Sequence, residues 1–153
     1  MLTWRILVVP LAFALGCVSL QAANARIIKV LPHYLDLEGR HALSPSLYER
    51  DAYQAVLRKS PEQRSALRFD VQWKAKGIEV PALTLKTELR TSKNLAAKPL
   101  VLEHSVKKPR WFSKWSALTV SGDEFRQMGD LLAWRVTLWD GERLLAEQKS
   151  FLW

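Results

Sequence analysis

Four basic and three aromatic side chains stand close together between residues 107 and 115, in the sequence KKPRWFSKW. Pro109 cannot donate to a strand ladder, so it predicts a loop at this point. Basic residues attract anionic surfaces and tryptophan favours the membrane interface, so this loop is a candidate for contact with an anionic surface. The alternative is that the tryptophans fill one end of the fold and the basic residues only keep the loop solvated. The candidate binding residues are Lys107, Lys108, Arg110, Trp111 and Lys114.

A catalytic or metal site is the second candidate, formed by the histidines of an early loop. His33 and His41 flank Asp36 and Glu38, and imidazole and carboxylate groups are metal ligands. Their spacing matches no familiar zinc pattern, and loops rich in Asp, His and Gly are common because these residues favour turns. We therefore predict ordinary loop polarity, with no metal site and no cofactor. His104 lies on the apolar side of its predicted strand, which favours a hydrogen-bonded structural histidine.

Motifs of the commonest enzyme classes are absent from the sequence. It contains no Gly-x-Ser-x-Gly elbow, no His-Glu-x-x-His, no Cys-x-x-Cys, no Gly-x-Gly-x-x-Gly and no P-loop. Glu49 and Asp51 lie two apart on a predicted helix, so they do not face each other as an acid–base pair. We predict a protein that is not an enzyme. A metal-dependent hydrolase using His33, Asp36 and His41 is the weakest of the alternatives.

The N-terminal segment predicts export from the cytoplasm. One basic residue is followed by an apolar run over 6–20, and Ala-Asn-Ala at 23–25 places small residues where signal peptidase cleaves. The apolar run is shorter than the ~20 residues that a spanning helix needs. We predict a secretory signal peptide at 1–25 and a mature chain that begins at Arg26. As an alternative, Ala-Leu-Gly-Cys at 14–17 resembles the lipobox of bacterial lipoproteins, in which Cys17 would be lipidated. A third alternative is that the segment stays uncleaved and anchors the protein in the membrane.

Charge and size then bound the mature protein. Cleavage leaves 153 − 25 = 128 residues, the size of one domain, which we predict to cover 26–153. The removed segment holds one of 23 Lys and Arg residues and none of 15 Asp and Glu residues, so the mature charge is 22 − 15 = +7. We predict a periplasmic or extracellular protein whose partner is an envelope protein or an anionic envelope surface, with no transmembrane segment after cleavage. Export disfavours nucleic acid, which the same charges and rings could bind.

Alternating apolar and polar residues predict that most of the mature chain is β-structure. Along 67–76, for example, apolar residues occupy every second position, which places them on one buried face. On the strand near the C-terminus, the residues predicted to share the buried face are Leu132, Trp134, Val136 and Leu138. The seven predicted strands are 26–31, 67–76, 83–90, 100–107, 115–120, 132–138 and 143–152.

One helix is predicted at 46–59, where Ser46 and Glu49 fit a capping box. Pro61 begins one more short turn. Residues 32–41 and 121–130 are predicted as loops, the first with an irregular strand as the alternative. The predicted buried stripe of the helix is Tyr48, Ala52, Ala55, Val56 and Lys59, and the predicted outward face is Arg50, Asp51, Gln54 and Arg58.

The predicted fold is an all-β antiparallel sandwich of about seven strands with one helical insertion near the N-terminus. Residues 118–138 resemble the corner between the fifth and sixth strands of immunoglobulin-like and fibronectin type III-like domains, with Phe125 and Trp134 as the buried residues. The resemblance implies an immunoglobulin-like or fibronectin type III-like sandwich, although the cysteine pair of antibody domains is missing. A sandwich without catalytic motifs favours a non-enzymatic binding or structural module of the cell envelope.

The sequence also predicts which tryptophans are buried and how the final hairpin turns. Trp73 and Trp134 are each at the centre of a regular alternation, so we predict that both are core residues on opposing strands. The final hairpin is predicted to turn through a three-residue loop with Gly141 left-handed, which would place Val136 opposite Leu144 and leave Glu147 and Lys149 outside. A two-residue turn is the alternative, and it would bring Leu145 inward.

Overall fold

Two antiparallel sheets enclose one apolar core. The structure is a computed structural model that describes residues 24–78, 82–94, 98–107 and 112–153. The sheets have the strand orders β1-β2-β5 and β4-β3-β6-β7, so the prediction of an all-β, two-sheet fold with seven strands is confirmed. In chain order the elements are β1 (Asn24–Asp36), α1 (Leu47–Lys59), a 3₁₀-helix (Pro61–Gln63), β2 (Arg64–Lys76), β3 (Ala82–Thr91), β4 (Leu100–Lys107), β5 (Lys114–Ser121), α2 (Gly122–Met128), β6 (Leu131–Asp140) and β7 (Arg143–Lys149).

The first strand is longer than predicted. It continues through Pro32, which pairs with Phe69, and ends only at Asp36. Of the two interpretations of 32–41, the irregular strand is therefore confirmed for 32–36, and the loop is wrong there. Proline is tolerated because β1 is an edge strand, where a missing N–H need not break the ladder. A bulge between Ile27 and Lys29 shifts the register by one residue. The inward residues before the bulge are Ala25 and Ile27, and those after it are Val30, Pro32 and Tyr34.

A bulge also changes the sixth strand. Arg90 pairs with Ala133 and Thr91 pairs with Leu131, which leaves Leu132 as the extra residue. An inserted residue reverses the alternation around it. Leu132 is consequently exposed and Leu131 packs against the core, so the prediction that Leu132 belongs to the buried face is wrong.

The final hairpin turns through two residues, and the predicted three-residue loop is wrong. Asp140 pairs with Arg143, while Gly141 takes the left-handed conformation with φ of 57°. A bulge follows, because Leu138 pairs with Ala146 and Trp139 with Leu144, and Val136 lies opposite Gln148. Leu145 packs against the core, as the alternative required, and Glu147 and Lys149 are exposed, as predicted.

Large apolar side chains of both sheets meet in the core. Trp73 of β2 is fully buried and donates from Nε1 to Ser116 Oγ over 3.0 Å. Trp134 of β6 is only partly buried and meets Phe69 edge-on, with ring centroids 6.4 Å apart. The prediction is therefore confirmed for Trp73, whereas Trp134 lies at the border of the core.

The helix α1 has the predicted capping residue but a different buried face. Ser46 Oγ accepts from the Glu49 backbone N–H, yet Tyr48 is 84% exposed and Val56 48% exposed. Gln54, predicted to face outward, is 3% exposed. The apolar-stripe prediction fails because Gln54 is buried by hydrogen bonds to the backbone of β1 rather than by apolar contact.

The two turns before β2 and β6 are both helical. The short turn predicted at Pro61 is confirmed as the 3₁₀-helix. The predicted loop at 121–130 instead contains α2, whose Met128 is buried and whose Phe125 packs partly against the core. This seven-residue helix closes the end of the sandwich opposite to the start of β1.

Candidate functional site

The basic loop, residues 107–115, joins the end of β4 to the start of β5. Lys107 is the last residue of β4 and Lys114 the first of β5, and both are exposed. Phe112 is 84% exposed and Trp115 is 48% exposed, so these rings do not fill the end of the fold. Lys108, Arg110 and Trp111 lie outside the described residues, as does Cys17.

Trp115 lies on the outer face of the three-stranded sheet. It pairs with Gln72 of β2, which in turn pairs with Lys29 of β1. Gln72 Nε2 donates to Ser113 Oγ over 3.0 Å, which ties the end of the basic loop to the sheet. The described C-terminal part of the loop, Phe112 to Trp115, therefore adjoins this face.

Positive charge on this surface has no carboxylate partner. Among the described residues, no ion pair includes Lys107 or Lys114. On the other sheet, by contrast, Arg135 lies 3.4 Å from a Glu88 oxygen and 3.2 Å from a Glu147 oxygen. Other exposed lysines among the described residues, such as Lys59 and Lys149, also have no ion pair. What distinguishes Lys107 and Lys114 is their position beside exposed aromatic rings, where they can attract an anionic partner.

Two histidines of the second candidate site do come together. The rings of His33 and His41 have centroids 5.0 Å apart. His33 Nε2 lies 3.7 Å from Asp70 Oδ2, and Arg68 lies 3.2 Å from His41 Nδ1 and 3.0 Å from Asp70. Burial lowers the pKa of His33 from 6.5 to about 4, although the Asp70 carboxylate acts in the opposite direction. Burial also lowers the pKa of His41, with Arg68 adding to the effect.

Asp36 does not join the histidines as a metal ligand. Its Oδ1 accepts from the backbone N–H groups of Glu38 and Arg40, and its Oδ2 accepts from Arg40 Nε and from the Tyr53 hydroxyl at 2.7 Å. These donors stabilise the carboxylate and hold the pKa of Asp36 well below its usual range, against the opposing effect of burial. Asp36 therefore closes the turn after β1 and fastens it to α1.

The remaining sequence candidates do not assemble a cluster of metal ligands in the described part of the chain. No group of three or more potential metal ligands occurs there. His104 is exposed on β4, so the prediction of a buried structural histidine is wrong. β4 is the edge strand of its sheet, and most of its residues are exposed although its apolar and polar residues alternate. Arg50 and Asp51 form an ion pair of 2.9 Å with each other.

An open cleft of about 350 Å³ lies between β1 and α1 and is lined in part by His33, Arg50, Asp51 and Arg58. Its polar groups include the Arg50–Asp51 pair, so opposite charges within the lining offset each other. His33 is only 6% exposed and faces Asp70. We assign this cleft to the packing of α1 against the sheet.

Comparison with known proteins adds no family to these observations. No protein-family model matches the chain, and no curated protein or solved structure matches it significantly. Within the described ranges, neither α-helix has the length and apolar character needed to cross a membrane.

Sequence reasoning missed the basic residues of the three-stranded sheet that lie beside the loop: Arg26, Lys29, Lys74 and Lys76. The alternation of β2 places Lys74 and Lys76 on the outer face, a signal that was readable in the sequence. The sequence could not assign Lys29 to a face of the sheet, because its face depends on the bulge between Ile27 and Lys29.

Proposed function

We propose that this protein is an exported, non-enzymatic β-sandwich of the cell envelope, which binds an anionic envelope surface through the basic loop. One observation carries the proposal: Lys107 and Lys114 of the loop are exposed and have no carboxylate partner among the described residues, and the exposed rings of Phe112 and Trp115 lie in the same loop. Cations attract an anionic surface over a Debye length, and aromatic rings add contact at its interface. The metal-dependent hydrolase has no comparable support.

The finer fold that we propose is an immunoglobulin-like or fibronectin type III-like sandwich. Three features support it: the strand orders β1-β2-β5 and β4-β3-β6-β7, connections that cross between the sheets, and a helical corner between β5 and β6 that carries Phe125. Domains of this architecture commonly present a binding surface on loops at one end of the sandwich. Such an architecture is compatible with many functions, so the surface chemistry carries the argument.

Cosedimentation with vesicles tests the proposed function. The wild type is compared with a loop variant in which Lys107, Lys108, Arg110 and Lys114 are all changed to serine. We expect the wild type to bind anionic vesicles at low salt, to bind neutral vesicles weakly, and to lose binding as salt is raised, because exposed charges are screened over about 8 Å at physiological ionic strength. The loop variant should lose the anionic preference.

A matched variant controls for net charge. Exposed lysines away from the basic loop can be changed to serine in equal number, at Lys59, Lys93, Lys98 and Lys149. This control removes the same charge, so it should retain most of the binding if the loop is the contact. The proposal would be contradicted if the loop variant and the control variant lost the same amount of vesicle binding. It would also be contradicted if the wild type did not bind anionic vesicles at low salt.

Export is tested separately by intact-mass measurement on protein from its native envelope. We expect a mature chain beginning at Arg26, which would shorten β1 by Asn24 and Ala25 and keep the Arg26–Lys74 pair of the ladder. A mass that corresponds to a chain beginning at a diacylated Cys17 would show that the protein is anchored by lipid and is not released by cleavage after Ala25. An intact Met1 would contradict both forms of processing.

A further inference from the structure

We infer that the outer face of the three-stranded sheet lies against an anionic lipid bilayer, with the basic loop at its border. This inference rests on the proposed function and names its partner. The basic sheet face consists of Arg26, Lys29, Lys74 and Lys76, and it extends the charged surface beyond the loop.

Strand pairing brings these cations together on one side of the sheet. Arg26 pairs directly with Lys74, and Asn24 pairs with Lys76. Paired residues are about 5 Å apart, and alternate residues along a strand are roughly 7 Å apart. Placing like charges so close is unfavourable for the isolated domain, and an anionic surface would relieve the repulsion.

The bulge in β1 adds Lys29 to the same side. In an uninterrupted alternation, Arg26 and Lys29 would lie on opposite faces, because they are three residues apart. The extra residue between Ile27 and Lys29 restores both to the outer face, where Lys29 pairs with Gln72. Ile28 at the bulge is itself 37% exposed and adds an apolar group at the edge of the face.

Carboxylates on the outer face of this sheet do not neutralise the cluster. Asp70 lies on that face, but its carboxylate is 3.0 Å from Arg68 and 3.7 Å from His33, farther along the sheet. None of the ion pairs among the described residues includes Arg26, Lys29, Lys74 or Lys76. The cations are therefore available to lipid headgroups.

Exposed apolar groups beside the cations favour a bilayer over a soluble polyanion. The basic sheet face lies at the end of the sandwich where β1 begins. Trp115 of β5 lies two strands away from Lys29 of β1, in line with it through Gln72 of β2. Its ring is 48% exposed, a position suited to the membrane interface.

The test compares three proteins in the processed form that the intact-mass measurement identifies. A face variant changes Arg26, Lys29 and Lys74 to serine, and a matched control changes Lys59, Lys93 and Lys149 to serine. Each basic residue near an anionic surface contributes about fivefold in affinity, so the face variant should bind vesicles of phosphatidylglycerol and phosphatidylcholine on the order of 100-fold more weakly. The control should stay within about threefold of the wild type, because it acts mainly through net charge. Thermal midpoints confirm that all three proteins are folded.

A fluorescent label reports which face touches the lipid. Because the chain after residue 25 has no cysteine, single cysteines can be introduced at Ala117 on the inferred face and at Ser105 on the other sheet, in a Cys17→Ser background if that residue is retained. An environment-sensitive probe at Ala117→Cys should shift to the blue on binding anionic vesicles, and the probe at Ser105→Cys should not.

The outcomes separate the inference from the proposed function. If the wild type binds anionic vesicles and the loop variant does not, but the face variant binds like the wild type, the inference is overturned and the proposed function stands. If the wild type binds heparin but not anionic vesicles, the partner is a soluble polyanion and the bilayer inference is again overturned. If the wild type binds neither, both fail.

Discussion

The side chain of Gln54 makes both of the hydrogen bonds that a neighbouring strand would make to Tyr34. Its Oε1 accepts from the Tyr34 backbone N–H and its Nε2 donates to the Tyr34 carbonyl, each over 2.9 Å. The same Nε2 also donates to the His41 carbonyl over 2.8 Å. Tyr34 lies on β1, an edge strand whose unpaired backbone would otherwise be open to another chain. Gln54 therefore fastens α1 to the sheet, together with the Tyr53–Asp36 hydrogen bond and the buried Leu57, and it covers the strand edge at Tyr34.

Replacing Gln54 should destabilise the protein and expose this edge. Gln54→Leu removes the partners of two buried backbone groups at Tyr34, and each unsatisfied group costs about 1–3 kcal/mol. We expect the free energy of unfolding to fall by roughly 2–4 kcal/mol, with faster aggregation at high protein concentration. Urea denaturation measures the first effect and light scattering the second.

Two substitutions on the same helix serve as controls. Tyr48 and Val56 are exposed, so Tyr48→Ala and Val56→Ala should each cost less than about 1 kcal/mol. If these variants lose more stability than Gln54→Leu, the predicted apolar stripe does face the core, and the hydrogen bonds of Gln54 to Tyr34 contribute less to stability than we expect.

The sequence predicted elements well where one physical effect dominated. The alternation along β2 was unbroken, and burial of Phe69, Val71 and Trp73 followed from it. Helix α1 was located correctly from its cap, but its face was wrong because a buried glutamine satisfied by a distant backbone has no periodic signature. Bulges at Ile28 and Leu132 were also unpredictable, since they depend on how two strands meet and not on the residues of one.

The candidate site was predictable only in part for the same reason. The basic loop is contiguous in the sequence, so its charge was visible without a structure. Arg26 and Lys74 are far apart in the chain and become neighbours through strand pairing. The approach of His33 to His41 depends on the turn that Asp36 closes, which local composition did not specify.

The tryptophans should differ in their contribution to stability. Trp73 is fully buried, so Trp73→Ala should cost about 3–5 kcal/mol. Trp139 lies on the outer face of its sheet, where Lys86 Nζ is 5.7 Å from the centroid of its ring. Trp139→Ala should therefore cost about 1 kcal/mol of stability. Trp134, partly buried against Phe69, should fall between them. Equal shifts in the urea midpoints of the three variants would contradict these assignments.

Two glycines near α2 should differ in how poorly they tolerate alanine. Gly122 and Gly129 both have positive φ, 63° and 76°, but only at Gly129 would an added Cβ meet a neighbour, Ser92 Oγ. Gly129 also has ψ of −154°, a conformation that is essentially restricted to glycine. Gly122→Ala should cost about 1–2 kcal/mol for its positive φ, and Gly129→Ala should cost more for both reasons. A smaller effect at Gly129 than at Gly122 in thermal or urea unfolding would contradict this assignment.

Buried His33 should make the protein less stable in mild acid. Its pKa is lowered to about 4 in the folded state by burial, with His41, Arg50 and Arg68 acting in the same direction and Asp70 opposing them. The unfolded state, with a histidine pKa near 6.5, therefore binds more protons between pH 6.5 and 4, and stability decreases as the pH falls through this window. The full difference is about 3 kcal/mol. Asp36 acts at lower pH: its lowered pKa contributes stability above roughly pH 4, and that stability is lost on further acidification.

Urea denaturation at pH 7.5 and pH 4.5 separates the two groups. The wild type should lose roughly 2–3 kcal/mol between these values, and His33→Gln should lose much less, whatever its stability at pH 7.5. A smaller dependence should persist in the variant, because the pKa of His41 is also lowered. Asp36→Asn should leave the change between pH 7.5 and 4.5 intact and reduce the further loss below pH 4. If His33→Gln and the wild type lose equal stability between pH 7.5 and 4.5, His33 is hydrated in the folded protein and does not lie against the Asp70 side of the sheet as described.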